Sequence, residues 1–80
     1  MNSSYTKQQQ AYLKKVGQQI RKARLEKSFS QEKFAQVCKL DRTYISDVER
    51  GERNISILNL KKITDNLQIS IPQLLLNDNL

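Results

Sequence analysis

Residues 30–51, SQEKFAQVCKLDRTYISDVERG, decide the fold of this chain. Their apolar and small side chains recur at helical spacing in two groups, Phe34, Ala35 and Cys38 in the first and Ile45 and Val48 in the second. Each group forms one face of a helix. The sequence therefore predicts two short helices, joined by a tight turn, whose apolar faces point toward each other. A small residue such as Ala35 lets the two helices approach closely.

The second of these helices carries short polar and charged residues on its other face. Asp41 is predicted to cap its start, since a carboxylate there can accept hydrogen bonds from free backbone amides. Gly51 is predicted to end the helix in a left-handed conformation. The outward residues are Arg42, Thr43, Ser46 and Asp47. Because arginine can fork onto guanine and a threonine methyl can pack on thymine, the pattern predicts a helix-turn-helix that reads the DNA major groove.

Blander interpretations stay open for the same residues. The two helices could form an ordinary hairpin of a small bundle, although the polar start of the second helix argues against this. Arg42 could be a solvated side chain or a phosphate contact, and Thr43 could be a neutral residue at a helix start.

The charge distribution also favours a DNA partner. The 80 residues include 14 basic and 8 acidic side chains, for a net charge of +6. Residues 1–27 hold seven basic residues and one acidic residue, whereas residues 28–80 hold seven of each sign. The positive field therefore comes from the N-terminal segment, which is suited to neutralising phosphates. The alternative is a solvated helix face that keeps the protein soluble.

The composition gives no support to catalysis or metal binding. The chain has no histidine, only two glycines, and one cysteine, Cys38, which we expect to be a core residue in a reducing cytoplasm. No apolar run approaches the ~20 residues of a membrane span, and the start of the chain lacks the apolar core of a secretory signal. We therefore expect no enzymatic activity, cofactor, metal, small-molecule ligand or membrane partner, and a cytoplasmic location.

The remaining pattern predicts five helices and no strand. Thr6 and Gln9 can form a capping box that opens the first helix, while Ser30, Ser56 and Ser70 are placed to cap later ones. The predicted helices run from Thr6 to about Lys27, Ser30 to about Val37, Arg42 to Arg50, Ser56 to about Leu67, and Ser70 to Leu76. Residues 1–5 are expected to be a flexible arm, residues 6–76 a single DNA-binding domain, and residues 77–80 a polar tail.

Three runs in this pattern resemble a known family. IRKARLEKSFSQEKFAQ, DRTYISDVERGERNIS and LNLKKITDNLQIS look like the Xre/lambda-repressor-like helix-turn-helix family across roughly residues 13–76. Within that family they are most similar to controller proteins of restriction–modification systems, which are small dimeric regulators that set the timing of endonuclease expression. The resemblance implies an all-α fold, a compact five-helix lambda-repressor-like DNA-binding domain.

The resemblance also implies roles for individual residues. Base-facing positions fall on Arg42, Thr43 and Asp47. Backbone or flanking-base contacts fall on Gln31, Tyr44, Ser46, Arg53 and Asn54, with Gln31 bonding a phosphate. An internal ion pair is implied between Arg24 and Glu49. Lys39 and Gln68 stand where the family often has glycine. Lys39 is therefore expected in or near the left-handed region at some cost, or else the turn differs slightly from that of the family.

A homodimer on a pseudo-palindromic double-stranded DNA operator is expected, because one short recognition helix reads few bases. The candidate dimer interface consists of Ile57, Leu58, Ile69, Ile71 and Leu75, although these residues could instead complete the core of the monomer. RNA polymerase is a further candidate partner. The alternative functions are an antitoxin that represses its own toxin–antitoxin pair, a small phage repressor, and a protein-interaction module that does not bind DNA.

Overall fold

Five helices follow one another in the computed structural model, which describes residues 4–76. They are α1 (Lys7–Glu26), α2 (Gln31–Cys38), α3 (Arg42–Glu49), α4 (Ile57–Leu67) and α5 (Ile71–Leu76). No strand occurs within this described range, and the all-α five-helix prediction is confirmed. The predicted tail at 77–80 and the first three residues of the predicted arm lie outside the described residues.

Side-chain caps begin four of the five helices. At α1 the Gln9 amide donates to Thr6 Oγ1 at 3.0 Å and the Thr6 amide donates to Gln9 Oε1 at 2.9 Å, which completes the predicted capping box. The hydroxyls of Ser30, Ser56 and Ser70 each accept from an amide three residues later, at 3.0–3.1 Å. These local bonds explain why α1, α2, α4 and α5 begin where the sequence predicts.

Helix α3 is the exception, and one part of the prediction for it is wrong. Asp41 occupies the N-cap position with an extended backbone, but its side chain makes no cap hydrogen bond. The carboxylate is exposed, so solvent can satisfy it. The helix is instead started by its backbone, since the Ile45 amide donates to Asp41 O at 3.1 Å, and it is held by the burial of Ile45 and Val48.

A left-handed residue lies in each of the four connections between helices, and three of the four are not glycine. Gly51 (φ 76°) follows α3 in this conformation, as predicted. Lys39 (φ 59°, ψ 44°) and Gln68 (φ 60°, ψ 38°) end α2 and α4, so the expected departure from glycine is present without a change of turn geometry. Ser28 (φ 62°) follows α1 in the same region. A non-glycine residue held in this conformation costs roughly 1–2 kcal/mol.

The core lies among all five helices and includes the predicted inward faces. Its buried members are Val16, Ile20, Phe34, Ala35, Cys38, Ile45, Val48, Leu60, Ile63, Leu67 and Leu74. Cys38 is a core residue as predicted, and burial raises the pKa of its thiol to about 11. Its side chain is therefore a protonated thiol at neutral pH.

Both glycines lie where α1 meets the end of α3. A Cβ added to Gly17 would sit 2.3 Å from the Val48 carbonyl oxygen, and one added to Gly51 would sit 2.6 Å from Lys14 Cα. The backbone of α1 thus packs directly on the last turn of α3 and on the residue that follows it. This close approach fixes the orientation of α3, the helix that carries the candidate site.

Candidate nucleic-acid interface

The two sides of α3 differ as the sequence predicts. Ile45 and Val48 are fully buried, whereas Arg42 and Thr43 are exposed at the first turn. Neither the Arg42 guanidinium nor the Thr43 hydroxyl forms a hydrogen bond or ion pair with another of residues 4–76, so both groups remain available. Both groups have the chemistry needed to contact base edges in a major groove.

Asp47 is engaged by two arginines. Its Oδ1 lies 2.6 Å from Arg50 Nη2 and its Oδ2 lies 3.3 Å from Arg53 Nη2. The predicted base-facing carboxylate is therefore an acceptor for these two guanidinium groups in the free protein. A contact from Asp47 to a base has to share or displace one of these donors.

Arg53 is also placed over an aromatic ring. Its guanidinium carbon lies 4.9 Å from the centre of the Tyr44 ring, within the range of a cation–π interaction. The structure thus brings together three of the predicted residues, Tyr44, Asp47 and Arg53, although Arg53 comes from the loop after α3. Asn54 is exposed and lines a hollow with Gln9 and Tyr12 of α1.

Arg50 belongs to the same cluster, and the sequence analysis did not single it out. Its guanidinium donates to the Ser46 hydroxyl, to Asp47 Oδ1 at 2.6 Å and to Glu52 Oε1 at 3.2 Å. Ser46 and Asp47 precede Arg50 by four and three residues, a spacing that places them on one helix face. That spacing was a usable signal. We refer to Tyr44, Ser46, Asp47, Arg50, Glu52 and Arg53 as the outer cluster.

A buried polar cluster lies on the opposite side of α3. Arg24 Nε donates to Glu49 Oε2 at 2.6 Å and Arg24 Nη2 donates to Glu49 Oε1 at 3.0 Å. Arg24 Nη1 also donates to the Phe29 carbonyl at 2.7 Å. The predicted ion pair is therefore present, and it joins α1 to α3 and to the turn that precedes α2. We refer to Arg24, Gln31 and Glu49 as the inner cluster.

Gln31 has an internal contact that the sequence analysis did not foresee. Its Nε2 donates to Glu49 Oε1 at 3.0 Å, so the first residue of α2 is tied to the end of α3. The phosphate contact predicted for Gln31 has to use its other N–H. Nothing in the local sequence signals this bond, because 18 residues separate the two partners.

The predicted dimer residues do not form one exposed patch. Ile57 and Leu58, at the start of α4, have exposed fractions of 67% and 74%. Ile69, Ile71 and Leu75 are partly buried and pack against the core. Two of the five side chains are therefore exposed to solvent, and the other three are partly buried within the monomer.

In the described part of the chain, no group of His, Cys, Asp and Glu side chains could hold a metal ion. None of the five helices is long and apolar enough to span a membrane.

Two helices at a tight left-handed turn, with unpaired polar side chains at the start of the second, define a helix-turn-helix protein. A family model described as helix-turn-helix matches residues 20–74, which is more than half of the chain. Control protein C.BamHI from Bacillus amyloliquefaciens is 53% identical over 60 residues, covering 74% of each chain.

Solved structures are similar as well. The restriction–modification controller protein C.AhdI from Aeromonas hydrophila is 45% identical with a TM-score of 0.76, covering 81% of this chain and 97% of that one. The controller protein C.Esp1396I, solved as a tetramer with its natural 35-base-pair operator, is 44% identical with a TM-score of 0.72, covering 79% and 83%. The chain therefore belongs to the helix-turn-helix transcription regulators and, within them, to the control proteins of restriction–modification systems. This confirms the family and the controller group predicted from the sequence.

Proposed function

We propose that this chain is a homodimer that binds a pseudo-palindromic operator and regulates transcription in a restriction–modification system. The observation that carries the proposal is the pair of unpaired side chains, Arg42 and Thr43, at the exposed start of α3. Similarity to C.BamHI and to the operator-bound C.Esp1396I supports it. In this proposal the protein acts by binding in the cytoplasm, where the DNA lies, and not as an enzyme.

The outer cluster and Arg42 have different tasks in this proposal. Arg42 and Thr43 read base edges, because their polar groups are free. Arg53 contacts the phosphate backbone. Its cation–π contact with Tyr44 and its ion pair with Asp47 hold the guanidinium in place in the free protein. When a DNA phosphate replaces Asp47 as an acceptor for Arg50 or Arg53, the freed carboxylate oxygen of Asp47 contacts a base.

The remaining predicted contacts support the same orientation of the protein on DNA. Gln31 reaches a phosphate from the start of α2, while Ser46 and Asn54 contact the backbone or flanking bases. Such contacts set register without reading sequence. RNA polymerase stays a predicted partner.

Selection from a random DNA pool, followed by titration of two variants, tests this division. Arg42→Ala is expected to lose about 1–3 kcal/mol on the selected site and to relax preference at one base pair. Arg53→Ala is expected to weaken selected and random DNA about equally and to flatten the salt dependence. Equal losses for both variants on both kinds of DNA would contradict the assignment of Arg42 to base reading and Arg53 to phosphate binding. A selection that enriches no sequence would contradict sequence-specific DNA binding.

Dimerisation is proposed through the exposed start of α4. Two copies joined there present two α3 helices to half-sites about one DNA turn apart, which multiplies affinity. Leu58→Glu is expected to shift sedimentation at micromolar concentration toward the monomer. Leu25→Glu, at a half-exposed apolar position of α1, serves as the control. A wild-type protein that sediments only as a monomer would contradict this part.

A further inference from the structure

The first turns of α1 are positively charged and lie outside the matched family segment. The family model begins at residue 20, whereas α1 begins at Lys7. Residues 1–19 contain Lys7, Lys14 and Lys15 but no aspartate or glutamate. The amino end of a helix carries a partial positive charge of its own, and the first turn of α1 has no acidic residue to offset it. This part of the chain therefore favours an anionic partner.

These turns lie beside the end of α3. A groove of about 410 Å³ separates them from the residues after α3, and it is lined by Lys7, Gln10, Ala11, Lys14, Arg50, Gly51 and Glu52. We call this the basic groove. Its acidic member, Glu52, accepts from Arg50 Nε at 3.2 Å. Arg50 is paired with both Glu52 and Asp47, so the net positive charge of the groove comes from Lys7 and Lys14.

The position of the groove is fixed by backbone packing. Gly51 approaches Lys14 so closely that an added Cβ would lie 2.6 Å from its Cα. On the other side of α1, a second hollow of about 310 Å³ includes Tyr5, Tyr12 and Asn54 in its lining. Residues 51–54 thus run alongside the first turns of α1, and the surface that carries Arg53 and Asn54 continues onto this helix.

The two lysines in the groove have no competing internal partner. Both are exposed, and neither forms a salt bridge or hydrogen bond with another residue in the range 4–76. Lys61 differs, because it pairs with Asp65 at 2.7 Å. The ammonium groups of Lys7 and Lys14 are therefore available to bind an anion that lies along the outer cluster.

From this placement, we infer that Lys7 and Lys14 form a second contact to the sugar–phosphate backbone of duplex DNA, outside the bases that α3 reads. The inference rests on the proposed function and extends its DNA surface onto a part of α1 that the family model does not cover. The partner is the regularly spaced phosphates of a duplex, which match a groove whose lining includes Arg50 of the outer cluster beside Lys7 and Lys14. The contact adds affinity and salt dependence but no base preference.

Salt-dependent titration on the selected DNA site tests the inference. Lys7→Gln/Lys14→Gln removes two charges with little change in helix propensity. The matched control, Arg21→Gln/Lys22→Gln, removes two charges from exposed positions in the other half of α1, away from the basic groove. The slope of log Kd against log salt is expected to fall by about 1.8 for the groove variant, so its loss of affinity between 50 and 200 mM salt becomes about tenfold smaller. The control slope is expected to change far less.

Equal changes for the two variants would show a diffuse field and overturn the inference, as would an unchanged groove variant. Wild-type protein that fails to bind DNA at low salt would instead overturn the proposed function. The two failures are therefore distinguishable.

Directed cleavage gives a positional readout. An iron chelate can be attached to Lys7→Cys, because the buried Cys38 with its raised thiol pKa reacts poorly at neutral pH. The conjugate is expected to cut DNA strands flanking the selected site, whereas a Lys22→Cys conjugate is not. Bound DNA left uncut by the Lys7→Cys conjugate would contradict the contact.

Discussion

The inner and outer clusters are both built from arginines and carboxylates on helix α3, but they differ in burial. In the inner cluster the Arg24 and Glu49 side chains are 6% and 2% exposed. In the outer cluster Asp47 is 23% exposed, and its arginine partners are about half exposed. Removing one partner of a buried ion pair leaves the other charge unpaired and out of contact with water. The charges of an exposed pair can instead be bound by solvent or a phosphate at little cost. Burial thus decides which arginines hold the fold and which can change partners.

The largest expected effect comes from breaking the inner cluster. Arg24→Ala should lower the free energy of unfolding by about 3–5 kcal/mol, because Glu49 keeps a buried charge without its main partner. Urea denaturation measures the loss. Replacing both partners, as Arg24→Met/Glu49→Leu, should recover much of it, since no charge is then buried alone. An unchanged urea denaturation curve for Arg24→Ala would contradict the view that the Arg24–Glu49 pair stabilises the fold.

The contact between α1 and the end of α3 can also be disturbed by a substitution that changes no charge. Gly17→Ala should lower the free energy of unfolding by about 1–3 kcal/mol, because the methyl group would press on the Val48 carbonyl. Alanine's better helix propensity offsets about 1 kcal/mol of the clash. Gln18→Ala, at the exposed neighbouring position, is the control and should change stability little. A Gly17→Ala protein as stable as wild type would mean that α1 can move away from α3.

The turn between α2 and α3 offers a gain of stability. Lys39→Gly should raise the free energy of unfolding by about 1 kcal/mol, since glycine adopts the left-handed region without steric cost. The same change at the exposed Gln36, inside α2, should lower it by roughly 0.5–1 kcal/mol. If thermal melting shows both variants destabilised alike, the turn is not strained at Lys39.

The smallest effect on stability is expected in the outer cluster. Asp47→Ala should change the free energy of unfolding by less than about 1 kcal/mol, since water screens its ion pairs. A double-mutant cycle sharpens the comparison with the inner cluster. The coupling between Asp47 and Arg53 should stay below about 1 kcal/mol, and that between Arg24 and Glu49 should exceed it several-fold. Equal couplings would contradict the view that burial separates the two clusters.

Helix boundaries were predictable from sequence because most of their causes are local. Thr6, Ser30, Ser56 and Ser70 each bond to an amide only three residues away. Asp41 shows the limit of this reasoning, because an N-cap position does not oblige its carboxylate to bond when solvent and core packing serve instead. The all-α fold followed from these caps together with the spacing of the apolar residues.

Contacts between helices were less predictable. The Arg24–Glu49 pair was expected only through family resemblance, and the additional bond from Gln31 depends on how α2 meets α3. The space requirement at Gly17 arises because α1 crosses the end of α3, which no local pattern reveals. Arg50 was within reach of the sequence, since the helical spacing to Ser46 and Asp47 was present.

The two glycines have a consequence for sequence variation. Gly17 and Gly51 both stand where a Cβ would meet the backbone of another segment, while Ser28, Lys39 and Gln68 make left-handed turns without glycine. In a saturation library selected for folding, positions 17 and 51 should therefore accept almost no replacement, whereas the three turns should accept asparagine and glycine readily. Gly51 meets both requirements, since its φ of 76° is left-handed and it also lacks room for a Cβ, whereas Gly17 is required by the lack of room alone.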